Sequence, residues 1–244
     1  MLANFKLILV ETSHPGNIGA VARAMKNMGM DQLRLVNPKF FPHADATARA
    51  SGADDVLRNA RIYSSLQDAI ADCQIVLGAS ARDRTISWPS LTARECAEHF
   101  VNTAHAETTI ALVLGRENSG LKNHELDLCH FLLRIPCNQD YSSLNLAAAA
   151  QVICYELFIS SNQPQAIKVG DLGEEALASS EQMESFYQHL LETMADIGFL
   201  HPERSKSIMR RLRRLFNRSQ LDTKEVDILR GIFRFAQNHN QKSS

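Results

Sequence analysis

Short apolar runs alternate with amphipathic stretches along the first two-thirds of the chain. The runs are almost continuously apolar, which is typical of parallel strands that are covered on both faces. The stretches between them carry apolar residues at helical spacing. This alternation predicts an α/β fold with a parallel sheet and helices on both of its faces. The predicted strands are residues 5–10, 32–36, 74–78, 109–115 and 131–135.

The helices predicted between and after these strands are residues 19–28, 66–71, 92–103, 125–129 and 144–160. Residues 161–180 have no clear periodicity, and their polar and glycine content is typical of a linker. After them the pattern is purely helical, with predicted helices at residues 181–197, 203–218 and 223–237. We therefore predict one domain over residues 1–160, a linker over 161–180 and a small helical extension over 181–244.

The composition adds limits on the partners. Of the 244 residues, 45% are hydrophobic and 22% are charged, which is ordinary for a globular protein. The formal net charge is -1, so a nucleic-acid partner must be met by a local basic patch. The five scattered cysteines indicate reduced thiols and predict a cytoplasmic protein. The residue spacing predicts no metal site, and no apolar run predicts a membrane span.

The first candidate site follows the opening strand, where two glycines and a proline lead into a helix. Asn17 is placed to cap that helix. Arg23 lies about one and a half turns into the helix, within reach of the loop. An arginine in this place predicts a site for an anion or an RNA phosphate. A helix cap beside a solvated arginine is the alternative that the local sequence leaves open.

The second candidate site follows the strand at residues 109–115 and runs from Gly115 to Gly120. Its glycines predict that the backbone approaches a ligand closely. Glu117 is placed to hold a neighbouring turn or a ligand group by hydrogen bonds. An ordinary loop between a strand and a helix is the alternative.

The third candidate site is the polar loop at residues 135–145, which ends at an apolar helix. Its amide, carboxylate and hydroxyl groups suit the recognition of adenine, ribose or a carboxylate. Ser142 or Ser143 as a helix cap is the alternative. Asn145 enters an otherwise alanine-rich helix, which predicts that it serves a packing contact or a site.

In order and separation, these segments resemble the three motifs of the SPOUT superfamily, in its TrmH-like branch of RNA ribose methyltransferases. The first motif matches Asn17, Gly19 and Arg23, the second matches residues 115–120, and the third matches residues 142–147. The resemblance covers residues 1 to about 160. Residues 9–14, 79–84 and 211–216 resemble more closely the bacterial TrmJ group, although Ala79 replaces a hydroxyl residue of its pattern.

The resemblance implies an S-adenosylmethionine-dependent enzyme that methylates the ribose 2′-OH of C or U at position 32 of tRNA anticodon loops. It also implies a C-terminal trefoil knot, formed by the second and third motif segments. A homodimer with active sites built from both chains is implied as well. Another tRNA position or ribosomal RNA is the alternative substrate. An RNA-binding module without catalysis is the alternative outside enzymes.

The resemblance also assigns roles to residues. Arginine stays protonated, so Arg23 would act through its charge, lowering the pKa of the 2′-OH and stabilising the developing alkoxide. The implied catalytic residues are Arg23, Asn17, Glu117, Ser142 and Asn145. The implied cofactor residues are Ala79, Ser80, Ala81, Leu114, Gly115, Ile135, Ser142, Ser143, Leu144 and Asn145. The RNA contacts are expected from Arg82, Arg84, Tyr141, Arg210, Arg211, Arg213 and Arg214.

The last four of these arginines belong to the helix predicted at residues 203–218, which has seven basic residues and one acid. At helical spacing, Lys206, Arg210, Arg213 and Arg214 share one face, which predicts a contact with the tRNA backbone. A solvated helix, or one paired with the acidic segment 171–196, is the alternative. Trp88 is predicted to lie in a loop, either stacking on a base or making a core or dimer contact.

Overall fold

The computed structural model of the chain describes residues 2–81, 88–103, 108–138, 140–141, 143–162, 176–200 and 205–241. In this part of the chain, seven strands form one sheet in the order β3-β2-β1-β6-β4-β7-β5. Every strand pair is parallel, which confirms the predicted fold class. The strands are β1 (Phe5–Val10), β2 (Leu33–Val36), β3 (Arg61–Tyr63), β4 (Ile75–Ala79), β5 (Ser90–Thr92), β6 (Ile110–Leu114) and β7 (Phe131–Arg134).

Helices connect the strands and follow the last one. In the sheet region they are α1 (Pro15–Asn27), α2 (Ala44–Ala50), α3 (Asp54–Arg58), α4 (Leu66–Ile70), α5 (Ala93–Thr103), α6 (Asn123–Leu126) and α7 (Leu146–Ser161). Three more helices follow, α8 (Ser180–Asp196), α9 (Ser205–Ser219) and α10 (Thr223–Gln241).

The central strands are apolar at nearly every position because both faces of the sheet are buried, with Lys6 of β1 as an exception. Leu7 and Leu9 of β1 belong to a core with helices α1, α2, α5 and α7. Ile8 and Val10 point to the opposite face and join a second core around α4. The same alternation holds in β4 and β6. Each central strand therefore contributes to two cores.

Four short elements were not predicted from the sequence: α2, α3, β3 and β5. The strands β3 and β5 are the two edges of the sheet and have three residues each. The residues of β3 are partly or fully exposed, so this strand lacks the apolar run that marks the central strands.

Helices α1 and α2 approach each other closely at Gly19. A Cβ atom built on Gly19 would lie well within 3.0 Å of the backbone carbonyl oxygen of Ala46. Only a glycine fits this crossing, because the obstacle is backbone that cannot rotate away. The contact fixes α2 against the helix that carries Asn17 and Arg23.

The three C-terminal helices have a core of their own, built from Met183, Phe186, Leu190 and Met194 of α8 and apolar side chains of α9 and α10. The helices also contact the sheet region: the amide group of Asn217 donates a 3.3 Å hydrogen bond to the carbonyl oxygen of Cys129.

Residues 176–180 at the end of the predicted linker pack against these helices. The backbone N–H of Ala178 donates to the carbonyl of Leu221, and the N–H of Ser180 donates to the carbonyl of Cys73. This part of the segment therefore joins the helices to the sheet region. The centre of the predicted linker, residues 163–175, lies outside the described residues.

Trp88 is buried in the second core, with only 8% of its surface exposed. Its indole N–H donates a 3.0 Å hydrogen bond to the carbonyl oxygen of Cys129. The hypothesis that Trp88 stacks on a base is therefore wrong, and the alternative of a core contact is correct.

Candidate active site

The three predicted loops follow strands that lie in the centre of the sheet. Strands β1, β6, β4 and β7 are neighbours and run parallel, so their carboxyl ends lie side by side. The backbone N–H of Ser80 donates a 3.1 Å hydrogen bond to the carbonyl of Leu133, which joins the ends of β4 and β7. The sheet thus brings together segments that are far apart in the sequence.

A cavity lies at these strand ends and encloses about 860 Å³ of empty space, part of it open to solvent. We call it the strand-end cavity. Eight of the ten predicted cofactor residues line it: Ala79, Ser80, Ala81, Leu114, Gly115, Ile135, Ser143 and Leu144. Ser142 lies outside the described residues, and Asn145 lines a neighbouring cavity instead.

The neighbouring cavity, which we call the helix-end cavity, lies beside the start of α1 and encloses about 1320 Å³, also partly open. It is lined by His14, Pro15, Gly16, Asn17, Ala20, Asp45, Ala48, Arg49, Asn145 and Ala147. Leu144 and Leu146 line the strand-end cavity, whereas Asn145 and Ala147 line the helix-end cavity. The start of α7 is therefore a wall that the two cavities share.

Glu117, in the loop after β6, forms hydrogen bonds to the loop after β1. Its carboxylate accepts hydrogen bonds from the backbone N–H groups of Ser13 and His14 at 3.2 Å. It also accepts from the hydroxyl of Ser13 and the side-chain amide of Asn17, each at 3.1 Å. Burial raises the pKa of Glu117, but these bonds and one from its own backbone outweigh burial, so the pKa lies below its ordinary value.

Asn145, at the end of the loop after β7, forms a hydrogen bond to Asn17 at the start of α1. Its side-chain amide donates a 3.3 Å hydrogen bond to the side-chain oxygen of Asn17. Its own side-chain oxygen accepts from the backbone N–H of Ala147 and caps α7. The third loop therefore meets the first at Asn17, which also binds Glu117.

The predicted cap of α1 was wrong, and Ser143, an alternative cap considered for α7, is not the one observed. Asn17 lies within α1, because Pro15 starts that helix earlier than predicted and His14 takes the cap position. Proline is favoured at the first helical position, since it has no N–H to leave unpaired. The cap of α7 is Asn145, so Ser143 is not the cap and Asn145 does not enter the helix.

Arg116 is a charged residue that the sequence analysis gave no role. Its guanidinium bonds the carboxylates of Glu11, with the shortest contact at 2.5 Å, and of Glu125, at 2.9 and 3.0 Å. The hydrogen bond from Arg116 holds the pKa of Glu11 below its usual value. Burial raises the pKa of Glu125, and Arg116 outweighs it. No local pattern reveals these pairs, because Glu11 and Arg116 are distant in the sequence.

Gly115 lines the strand-end cavity, and the structure gives a further reason for a glycine at this position. A Cβ atom built on it would lie well within 3.0 Å of the backbone of Gly120 and Leu121. The loop folds back on itself at this point, and Arg116 and Gly120 pair through both of their backbone groups. The turn can close in this way because Gly115 has no side chain. Gly120 has a positive φ of 66°, which glycine tolerates.

Arg23 is exposed on α1, two turns after the loop. Ala20, one turn before it, lines the helix-end cavity, so Arg23 projects from a similar side of the helix. Among the residues that the structure describes, it has no hydrogen bond or ion pair. Tyr141 is 80% exposed. Arg82 and Arg84 lie outside the described residues.

The four predicted RNA-binding arginines of α9 have different surroundings. Arg210 pairs with Asp127 at 2.8 Å, and Arg213 pairs with Glu184 and lies over the ring of Tyr187. Arg211 is exposed, and Arg214 is half-buried. The face that carries Arg210 and Arg213 therefore packs against the protein. Glu184 belongs to the acidic segment 171–196 that the alternative named, whereas Asp127 lies outside it.

The described residues contain no group of three or more His, Cys, Asp or Glu side chains that could hold a metal ion. In the same part of the chain, no helix is both long and apolar enough to cross a membrane. The five cysteines are all free thiols.

A parallel sheet with a cavity at its strand ends, closed by three polar loops that bond one another, defines an α/β protein that binds its ligand at those ends. The model of the SpoU rRNA Methylase family matches residues 4–155 of the chain. The chain therefore belongs to this family, as its motifs predicted. A second family model, the C-terminal domain of the tRNA methyltransferase TrmJ, matches residues 181–244.

Curated relatives match nearly the whole chain. It is 48% identical over 239 residues to the tRNA (cytidine/uridine/adenosine-2'-O-)-methyltransferase TrmJ of Pseudomonas aeruginosa, covering 95% of this chain and 93% of that protein. It is 46% identical over 242 residues to the tRNA (cytidine/uridine-2'-O-)-methyltransferase TrmJ of Salmonella typhimurium, covering 99% of each. The crystal structure of TrmJ from Z. mobilis is similar, with a TM-score of 0.81 at 33% identity, covering 94% of this chain and 97% of that one.

Proposed function

We propose that this protein is an S-adenosylmethionine-dependent tRNA ribose 2′-O-methyltransferase, acting on C or U at position 32 of the anticodon loop. The observation that carries the proposal is the hydrogen-bonded network of Asn17, Glu117 and Asn145. These residues come from the three motif segments, and they lie between the two cavities. The names of the relatives support tRNA as the substrate.

The strand-end cavity suits the cofactor. Leu114, Ile135 and Leu144 give it apolar walls that fit an adenine ring, and its loops supply backbone and hydroxyl groups for the ribose and the carboxylate. When bound, S-adenosylmethionine supplies an electrophilic methyl group. The protein's task is then to align the ribose oxygen with that methyl group and to make it a better nucleophile.

Arg23 is the residue that we propose to activate the 2′-OH. Its charge is not neutralised by a described partner, so it is available to stabilise a developing alkoxide. Glu117 is a poor candidate for the base. Its carboxylate already accepts hydrogen bonds from four donor groups, and its pKa is lowered. We assign Glu117 the role of positioning Asn17, and Ser142 remains a proposed catalytic and cofactor residue on its motif alone.

For RNA binding we propose Arg82, Arg84 and Tyr141, on the family resemblance, together with Arg211 and Arg214 on α9. Arg211 is exposed, whereas Arg210 and Arg213 already pair with carboxylates. Pairs of this kind reduce the charge that is available to phosphates. We therefore expect Arg211 to contribute more to tRNA affinity than Arg210 or Arg213.

We further propose a homodimer that uses the exposed apolar side of α7. Tyr155, Phe158 and Ile159 are 36 to 49% exposed on this helix, most of whose residues are apolar. A large apolar surface of this kind typically marks a protein interface. On the family resemblance, we also propose a trefoil knot and a cytoplasmic location. The proposed division of the chain is residues 1–160, 161–180 and 181–244.

The proposal is tested in three steps with the full chain. Calorimetry should detect binding of S-adenosylmethionine and of its demethylated product. Methylation of tRNA transcripts, followed by mapping of the modified ribose, should find position 32. Modification at another tRNA position, or only in ribosomal RNA, would replace the proposed substrate, and failure to bind either cofactor form would leave an RNA-binding module.

The Arg23→Ala variant separates cofactor binding from chemistry. We expect it to lose turnover and to keep cofactor affinity, because Arg23 does not line the strand-end cavity. Arg58→Ala is the matched control, since Arg58 is an exposed arginine at the end of α3. Full activity of Arg23→Ala would remove Arg23 from the mechanism.

A further inference from the structure

We propose that Arg49 is a phosphate-binding residue that holds the RNA strand beside Asn17. The inference rests on the proposed RNA methyltransferase function and adds a residue from outside the three motif segments. Arg49 lies in the last turn of α2 and lines the helix-end cavity together with Asn17 and Asn145. It is therefore placed next to the network that joins the three loops.

The Arg49 side chain is exposed and lies beside the start of α1. A Cβ atom built on Gly16 would lie 3.5 Å from Cγ and 3.7 Å from Nε of Arg49, which is ordinary van der Waals distance. The side chain thus lies across the glycine at the start of α1. This position keeps the aliphatic stem near the start of α1, at the edge of the helix-end cavity that Arg49 lines.

The charge of Arg49 is unused within the described part of the protein. Its guanidinium makes no hydrogen bond or ion pair there. Asp45, one turn earlier on α2, lies instead near the ring of His43, with 3.7 Å between the carboxylate and Nδ1. Arg49 contrasts with Arg210 and Arg213, which are neutralised by carboxylates.

A guanidinium in this place suits a phosphodiester. Arginine donates two parallel hydrogen bonds to phosphate oxygens, and it does so in a cavity that is wide and open to solvent. The phosphates on either side of a target ribose lie close to its 2′-OH. A cation beside Asn17 would therefore meet a flanking phosphate when the ribose reaches the cofactor. Asp45 lines the same cavity and repels phosphate, so the two residues should have opposite effects.

The test compares Arg49→Gln, Asp45→Asn and the control Arg58→Gln in the full chain. The probe is an unmodified tRNA transcript with C at position 32, whose binding is measured over a range of salt concentrations. Arg49→Gln should weaken binding about tenfold, as expected for a lost charged hydrogen bond. It should also reduce the slope of log affinity against log salt by about one. Asp45→Asn should tighten binding about twofold, and Arg58→Gln should change nothing.

Further measurements separate this role from others. Arg49→Lys should restore part of the affinity, because it keeps the charge, and cofactor affinity should equal that of the wild type in all variants. The proposal is overturned if Arg49→Gln binds tRNA with the wild-type salt slope, even if its melting temperature falls. It is also overturned if cofactor affinity falls instead, which would make Arg49 a partner of the cofactor carboxylate. Failure of the wild type to bind cofactor would instead remove the proposed function.

Discussion

Replacing Gly19 by alanine tests the packing that positions α1, the helix that carries Asn17 and Arg23. The added Cβ atom would overlap the backbone carbonyl of Ala46, so α1 and α2 must move apart. Overpacking of this kind costs about 1–3 kcal/mol, and a rigid backbone obstacle places the cost near the upper end. The better helix propensity of alanine returns about 1 kcal/mol. We therefore expect the free energy of unfolding to fall by about 2 kcal/mol.

The assay is unfolding by urea and by heat, followed by circular dichroism. A loss of about 2 kcal/mol should lower the melting temperature by roughly 4–8 °C in a chain of this size. Gly231→Ala is the matched control, because Gly231 lies within α10 and a Cβ atom there meets nothing within 4 Å. That variant should gain up to about 1 kcal/mol. The difference between the two variants isolates the overlap, since both add one methyl group to a helix.

Activity gives a second readout of the same change. Helix α1 carries Asn17 and Arg23, whereas the strand-end cavity is lined by other elements. Gly19→Ala should therefore lower turnover while cofactor affinity stays close to that of the wild type. If Gly19→Ala is as stable as Gly231→Ala, the close approach of α1 to α2 is not present in solution, and the reasoning fails.

Three further predictions concern buried polar groups. Trp88→Phe removes the hydrogen bond to the carbonyl of Cys129 and some side-chain volume, so the free energy of unfolding should fall by about 1–2 kcal/mol. Since Trp88 is the only tryptophan, the variant has no tryptophan fluorescence and its unfolding is followed by circular dichroism. An unchanged urea midpoint would contradict this prediction. Thr12→Val should raise stability by about 1 kcal/mol, since the buried Thr12 hydroxyl has no hydrogen-bond partner among the described residues; a lower midpoint would show that the hydroxyl is bonded. Burial lowers the pKa of His130 to about 4, and its neutral ring accepts a bond from Val76. Protonation therefore favours unfolding, and stability should drop by about 3 kcal/mol between pH 7 and pH 4, with a shallower drop in His130→Gln; equal slopes would refute the assignment.

The central strands could be predicted because burial on both faces of the sheet makes nearly all of their residues apolar. The predicted strand at residues 5–10 coincides with β1, and the other four predictions differ from the structure by one or two residues at their ends. The edge strands β3 and β5 could not be found in this way. They are short, and the residues of β3 are at least partly exposed, so no apolar run distinguishes them from loops.

Long-range polar contacts could not be predicted from the sequence either. The helical spacing correctly placed Arg210 and Arg213 on one face of α9, but it could not show that this face meets Asp127 and Glu184. Those carboxylates belong to other elements, which the fold brings close. The motif positions of Asn17, Glu117 and Asn145 were recognised by resemblance, whereas their hydrogen bonds required the structure.

The loop after β6 carries two adjacent residues of opposite charge, Arg116 and Glu117, and each of them bonds a different part of the first loop. Arg116 binds the carboxylates of Glu11 and Glu125, so it joins the end of β1 to α6. Glu117, the next residue, binds the backbone and side chains just after Glu11. Two successive side chains thus hold both ends of the first loop, and Gly115 closes the turn that presents them. Since this same loop lines the strand-end cavity, a ligand that displaced it would also displace Asn17. The six residues 115–120 thus line the strand-end cavity on one side and bond the segment that leads into α1 on the other.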